Sequence, residues 1–170
     1  VSGFLCRIFN QSLQQEKVPA EWQKSIVVPI FKKGSREVVS NYRPVSLTSV
    51  VCRILESIVK DEILNHFKVN GFFTKKQYGF LPRRSTVLQI LTFLNMVTEA
   101  NNNGKEVNVV YTDIEKAFDR VSHKLLLYKM KKYGVSDKIV GWVKSFLSDR
   151  QFKVRVNSAM SSSFKVTSGV

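Results

Sequence analysis

The run Val107-Asn108-Val109-Val110-Tyr111 leads through Thr112 into Asp113, and no other stretch constrains this chain as much. β-Branched and aromatic residues in succession, preceded by the loop-forming Asn101-Asn102-Asn103-Gly104, predict a strand over 107–112 buried on both faces. Asp113 stands at the end of that strand, and Glu115 and Asp119 follow closely. Hard divalent cations take oxygen ligands, and a strand end holds a carboxylate on rigid backbone. Spacing alone leaves Asp113 a second reading, as the N-cap of whatever follows. Glu115 could simply face solvent, and Asp119 could cap the turn before Ser122 or pair with a nearby cation. Phe118 could fill core or offer its ring as a floor for a sugar.

The surroundings of this acidic point are basic. Lys and Arg number 27 against 13 acids, for a formal net charge of +14. That balance makes nucleic acid the expected partner, with a solvated basic surface as the alternative. Hydrophobic residues make up 44% of the 170, enough to bury a sizeable core. No stretch approaches the roughly 20 apolar residues of a membrane span, so no membrane partner is expected. Cys6 and Cys52 have no zinc-like spacing, and His66 and His123 are isolated. They read as reduced, structural cysteines in an intracellular protein, with surface or packing histidines. The start at Val1 lacks an initiator Met or signal pattern, so a piece of a longer protein is expected.

Apolar periodicity predicts helices over 4–16, from a Thr48 or Ser49 cap to about His66, and from a Ser85 or Thr86 cap to about Ala100. Two more are predicted over 122–133 and from Ser136-Asp137 to Leu147. Strands are predicted at Ser25–Phe31, with Pro29 suggesting an edge, and at Gln151–Val156 with a hairpin return near 164–166. Asn41-Tyr42-Arg43-Pro44 reads as a loop, because the residue before proline avoids the helical region. Helices mixed with a few non-consecutive strands predict an α+β fold rather than a doubly wound sheet.

Two basic segments carry binding chemistry. Lys32, Lys33 and Arg36 follow the first strand, with Arg43 shortly after. Lys75, Lys76, Arg83 and Arg84 surround Tyr78 and Phe80. Cations interleaved with aromatics suit phosphate contact plus base or sugar packing, and Arg offers a planar fork for phosphate oxygens. Lys129, Lys131 and Lys132 read as a solvated helix face.

Taken together, several motifs resemble a family. Val18-Pro19-Ala20-Glu21-Trp22, Val28-Pro29-Ile30-Phe31-Lys32-Lys33-Gly34 and Asn41-Tyr42-Arg43-Pro44-Val45-Ser46-Leu47 resemble fingers motifs of reverse transcriptases from non-long-terminal-repeat, LINE-type and jockey-like retrotransposons. Gln77-Tyr78-Gly79-Phe80-Leu81-Pro82-Arg83-Arg84-Ser85-Thr86 is similar to the next fingers motif. Asp113-Ile114-Glu115-Lys116-Ala117-Phe118-Asp119 resembles the palm motif with the first catalytic aspartate. The resemblance runs from about Val18 onward. It implies a partial right-hand polymerase: an N-terminal helix over 1–17, fingers over 18–104 and the first part of the palm over 105–170.

The resemblance also implies roles. Asp113 would be the first catalytic, metal-binding carboxylate, with the Ile114 carbonyl as a further ligand for magnesium. Phe118 would be the steric gate under the sugar, and the Lys116 and Ala117 amides would lie near the triphosphate. Arg43 would approach the incoming triphosphate or the template. Lys32, Lys33, Gly79, Arg83, Arg84 and Ser85 would lie along the nucleic acid, and Asp119 would be structural. RNA template, DNA primer and deoxynucleoside triphosphates would be the partners, and nucleus and cytoplasm the compartments.

One departure matters. The family's palm needs a second acidic motif, an Asp-Asp pair, and no such pair occurs in these 170 residues. The chain stops at Ser168-Gly169-Val170, where the preceding Gln-Gly motif would start, so truncation before the second catalytic motif is expected. The isolated chain is therefore expected to be inactive and poorly soluble. The alternative reading is a non-catalytic, basic RNA- or DNA-binding remnant, and a decayed element copy is a third.

Overall fold

Strand β1 (Lys24–Phe31) lies inside a five-stranded sheet in the computed structural model, which describes residues 2–169. On one side β2 (Tyr42–Leu47) runs antiparallel to it, from Ile26↔Leu47 to Phe31↔Tyr42. On the other, β3 (Gln151–Val156) runs parallel to it, from Lys24↔Gln151 to Val27↔Val154. Two short strands, β4 (Ala159–Met160) and β5 (Phe164–Lys165), both pair antiparallel with β3.

The loop expected at 41–44 is thus a correction: Tyr42, Arg43 and Pro44 lie in β2. The reason is the pairing of Pro29 with Pro44 across the ladder. Opposed residues in an antiparallel pair alternate between hydrogen-bonded and non-hydrogen-bonded sites, and two prolines facing each other at a non-bonded site cost no ladder bond. Pro29 also lies beyond Val27, where the pairing with β3 ends, so its missing N–H is not needed on that side either.

Among the described residues there are five α-helices: α1 (Ser2–Gln14), α2 (Val50–Val69), α3 (Thr86–Asn102), α4 (His123–Lys132) and α5 (Asp137–Leu147). The chain divides into two compact units, Val1–His66 with Lys116–Val170, and Phe67–Glu115. All five strands lie in the first of these units.

In the first unit, Val18, Leu55, Val59 and Trp142 form the buried centre, with Phe9, Leu13, Trp22 and Phe146 packed around it. Trp142 stacks on Phe146 at 5.5 Å. Its indole N–H donates to Ser12 Oγ at 3.0 Å, and Ser12 Oγ donates onward to the Lys17 carbonyl at 2.6 Å. The Val18 N–H donates to Ser145 Oγ, and the Gln23 amide donates to the Ser145 and Ser148 carbonyls at the C-terminal end of α5. The segment after α1 is therefore fastened to α5 by side-chain hydrogen bonds around an aromatic core. Cys52, fully buried on α2, is pushed up to about 12 by burial and by the neighbouring Glu56 carboxylate. Both cysteines are free thiols.

The second unit is built on α3. Ser85 caps it, its Oγ accepting the Leu88 N–H at 3.2 Å, and Asn103 with Gly104 (φ +66°) ends it. Phe67 packs against Phe72 at 5.4 Å and Phe73 at 5.7 Å. No residue of α3 is buried. The strand expected at 107–112 is the second correction: 105–114 is exposed backbone without ladder bonds. A β-branched run becomes a strand only beside a hydrogen-bonding neighbour, and this run pairs with none of the five strands.

Candidate functional site

Asp113 and Ile114 lie at the end of that extended run, both exposed, with Ile114 74% accessible. Among the described residues no group of three or more His, Cys, Asp or Glu side chains could hold a metal ion. Asp113 and the Ile114 carbonyl supply oxygens of the kind magnesium prefers, but one carboxylate and one carbonyl do not enclose an ion that needs near-octahedral coordination. The donors suit the metal in kind and fall short in number.

The boundary between the units falls between Glu115 and Lys116, so Lys116, Ala117 and Phe118 belong to the sheet unit. They form a turn closed by the Arg120 N–H on the Lys116 carbonyl at 3.1 Å and by the Val121 N–H on the Phe118 carbonyl. Lys116 is left-handed, with φ +52°. Phe118 is 59% exposed.

The back of the turn is tied down by the chain's last described residues. Ser168 Oγ donates to the Asp119 carbonyl at 3.0 Å, and the Gly169 N–H donates to the Val121 carbonyl at 3.0 Å. His123 Nε2 is 2.7 Å from the Gly169 carbonyl. Asp119 thus contributes its backbone to structure, and it also lines a cavity of about 230 Å3 with Ser25, Ser46, Arg150 and Gly169. Sequence reasoning missed His123, Ser168 and Gly169 as supports. Only the glycine, which holds φ +88°, carried a signal that could have found them.

Lys32 and Lys33 open the connection from β1 to β2. The Lys32 N–H donates to the Asn41 carbonyl at 2.8 Å, and the Asn41 amide donates to the Ser35 carbonyl at 2.8 Å. Arg43 faces solvent from β2, opposite Ile30. Arg36 lies over the Phe31 ring at 5.1 Å, and Phe31 meets Tyr42 edge-on. Four cations therefore crowd one hairpin. Among the described residues, Lys32, Lys33 and Arg43 have no ion-pair partner, an arrangement suited to polyanion contact.

The basic segment of the second unit is organised differently. Arg84 Nη1 donates to the carbonyls of Thr74, at 3.3 Å, Lys75, at 2.9 Å, and Gln77, while its guanidinium lies over Tyr78 at 5.5 Å. Arg84 is thus a knot that closes the loop, and Ser85 is a helix cap. Arg83 remains exposed and left-handed at φ +62°, and a Cβ at Gly79 would meet nothing within 4 Å.

Comparison with known proteins then gives a direct result. Residues 30–170 match the family described as "Reverse transcriptase (RNA-dependent DNA polymerase)". The chain is 34% identical over 168 residues, 98% of its length, to the RNA-directed DNA polymerase from mobile element jockey of Drosophila melanogaster. It is 30% identical over 168 residues to the probable RNA-directed DNA polymerase from transposon X-element of the same fly. It is also 27% identical over 139 residues, 82% of its length, to the Pol polyprotein from type-1 retrotransposable element R2 of Popillia japonica. The chain spans 18% of the length of the jockey and X-element relatives and 19% of the R2 one.

Proposed function

The chain belongs to the reverse transcriptase (RNA-dependent DNA polymerase) family, and from that premise we propose that it serves as the fingers and first palm segment of a retrotransposon polymerase. In the complete protein this polymerase extends a DNA primer on an RNA template with deoxynucleoside triphosphates and magnesium, acting in nucleus and cytoplasm. Residues 1–17 lead into fingers over 18–104, and 105–170 begin the palm.

Asp113 contributes one carboxylate to the metal site, with the Ile114 carbonyl beside it. The remaining ligands are not among these residues. Phe118 underlies the sugar of the incoming nucleotide, where a ring leaves no room for a 2′-hydroxyl. The Lys116 and Ala117 amides face the triphosphate; a left-handed residue such as Lys116 is half of the alternating backbone from which anion-binding nests are built. Arg43, Lys32 and Lys33 neutralise phosphates, with Arg83 and Gly79 along the template. Arg84 and Ser85 act by shaping that loop rather than by touching the strand.

The turn that carries Phe118, exposed and braced by Ser168, is the observation that supports this reading. Grafting the chain in place of the aligned segment of the jockey polymerase tests it. Primer extension on RNA is expected from the graft, and Phe118→Val is expected to admit ribonucleotides. A correctly folded graft with no extension would sink the proposal.

The second reading, a non-catalytic RNA- or DNA-binding remnant, draws on the +14 charge and on the cations of the β1–β2 hairpin that have no ion-pair partner among the described residues. It requires binding that weakens steeply with salt but no contribution to synthesis in the graft.

A further inference from the structure

Phe80 is 87% exposed, and it holds a left-handed backbone, with φ +61°. A bulky residue in that region is an outlier, because its Cβ crowds the neighbouring carbonyl. Arg83, also left-handed at φ +62°, lies in the next turn of the same loop. Such conformations persist only where the surroundings over-determine them.

Here the surroundings are visible. Arg84 gathers the carbonyls of Thr74, Lys75 and Gln77 and lies over Tyr78. Tyr78 Oη is 2.9 Å from Thr92 Oγ1, which donates to the Leu88 carbonyl inside α3. Arg84, Tyr78 and Thr92 thus anchor the loop to a helix and hold its tip in shape. The tip presents one aromatic ring to solvent, with Lys75, Lys76 and Arg83 exposed in the same segment.

We propose that Phe80 is a stacking platform for a base of single-stranded nucleic acid, with Arg83 and the neighbouring lysines holding the flanking phosphates and Arg84 positioning the loop. The inference rests on the reading that this chain holds a nucleic-acid template, and adds the residue that meets a base. A flat ring beside cations suits a strand that carries both π-faces and phosphates; a purely apolar partner would gain nothing from the cations. Phosphate contacts alone would not require a bulky side chain at a backbone conformation that glycine would adopt without cost.

The test uses the 170-residue chain and two single-stranded DNA oligomers of equal length, one natural and one fully abasic, read by fluorescence anisotropy. Phe80→Gly is expected to bind the natural oligomer roughly 5- to 150-fold more weakly and the abasic one unchanged. Its melting temperature should not fall, since glycine accepts this φ, and Phe80→Trp should keep parental affinity. Parental affinity of Phe80→Gly for the natural oligomer would overturn the platform. So would an equal loss on both oligomers, which would mean that the ring only supports the loop. If the parent chain bound neither oligomer, the template-binding reading itself would fall, and the platform with it.

Discussion

Gly169 and Asp119 are in backbone contact: a Cβ at Gly169 would lie 3.0 Å from both the Cα and the carbonyl oxygen of Asp119. With φ +88°, Gly169 has neither the room nor the conformation for a side chain. The turn carrying Phe118 rests on this contact. Gly169→Ala is expected to destabilise the sheet unit by about 1–3 kcal/mol, read as a lower urea midpoint. Ser168→Ala, which removes one hydrogen bond to the same turn, should cost about 1 kcal/mol.

Trp142 and Ser12 supply a second prediction. Ser12→Ala strands the indole N–H and the Lys17 carbonyl together, in a place where Ser12 is itself only 5% exposed. The expected cost is about 1–3 kcal/mol, measurable by chemical denaturation. Ser12→Thr, which keeps the hydroxyl, should recover part of it.

The two cysteines should behave oppositely. Cys6 is exposed, and Cys52 is buried with its thiol pushed up to about 12. At pH 8, iodoacetamide is expected to label Cys6 alone in the native protein and both residues in urea. The folded value lies above the reference of 9.0, so folding favours the protonated thiol. That contribution is fully present below about pH 9 and is lost as pH rises towards 12. Urea midpoints measured between pH 8 and pH 11 should therefore fall, and less so in Cys52→Ala.

The exposed apolar surface of the second unit predicts self-association. Val87, Ile90, Leu91, Leu94 and Met96 on α3 are all at least half exposed, and Val110 and Tyr111 more so. Light scattering should show concentration-dependent oligomers of the isolated chain, reduced by Leu91→Lys or Leu94→Lys. Monomers at all concentrations would contradict this.

Much of the fold could be read from local pattern, because periodicity and caps are local. The helices at α2, α3, α4 and α5 follow from apolar spacing and from Ser85 and Ser122, whose hydroxyls accept the Leu88 and Leu125 N–H groups. What failed was non-local. β2 was hidden by Pro44, whose missing N–H costs no ladder bond only because it falls at a non-hydrogen-bonded site of a strand at the sheet's edge. Val107–Thr112 has strand composition, but composition supplies no neighbour. At the site, Asp113 and Phe118 stood out by motif, whereas the carbonyl knot at Arg84 and the brace at Ser168–Gly169 depend on contacts no spacing encodes.

The most direct measurement is primer extension on an RNA template by the jockey polymerase carrying this chain in place of its own aligned segment, compared with its Asp113→Asn and Asp119→Asn variants. The account predicts extension by the graft, a loss of at least about a hundredfold with Asp113→Asn, and a far smaller loss with Asp119→Asn. The isolated chain, with one candidate carboxylate, should give none. Undiminished extension by Asp113→Asn would contradict the assignment of Asp113 as the metal-binding carboxylate.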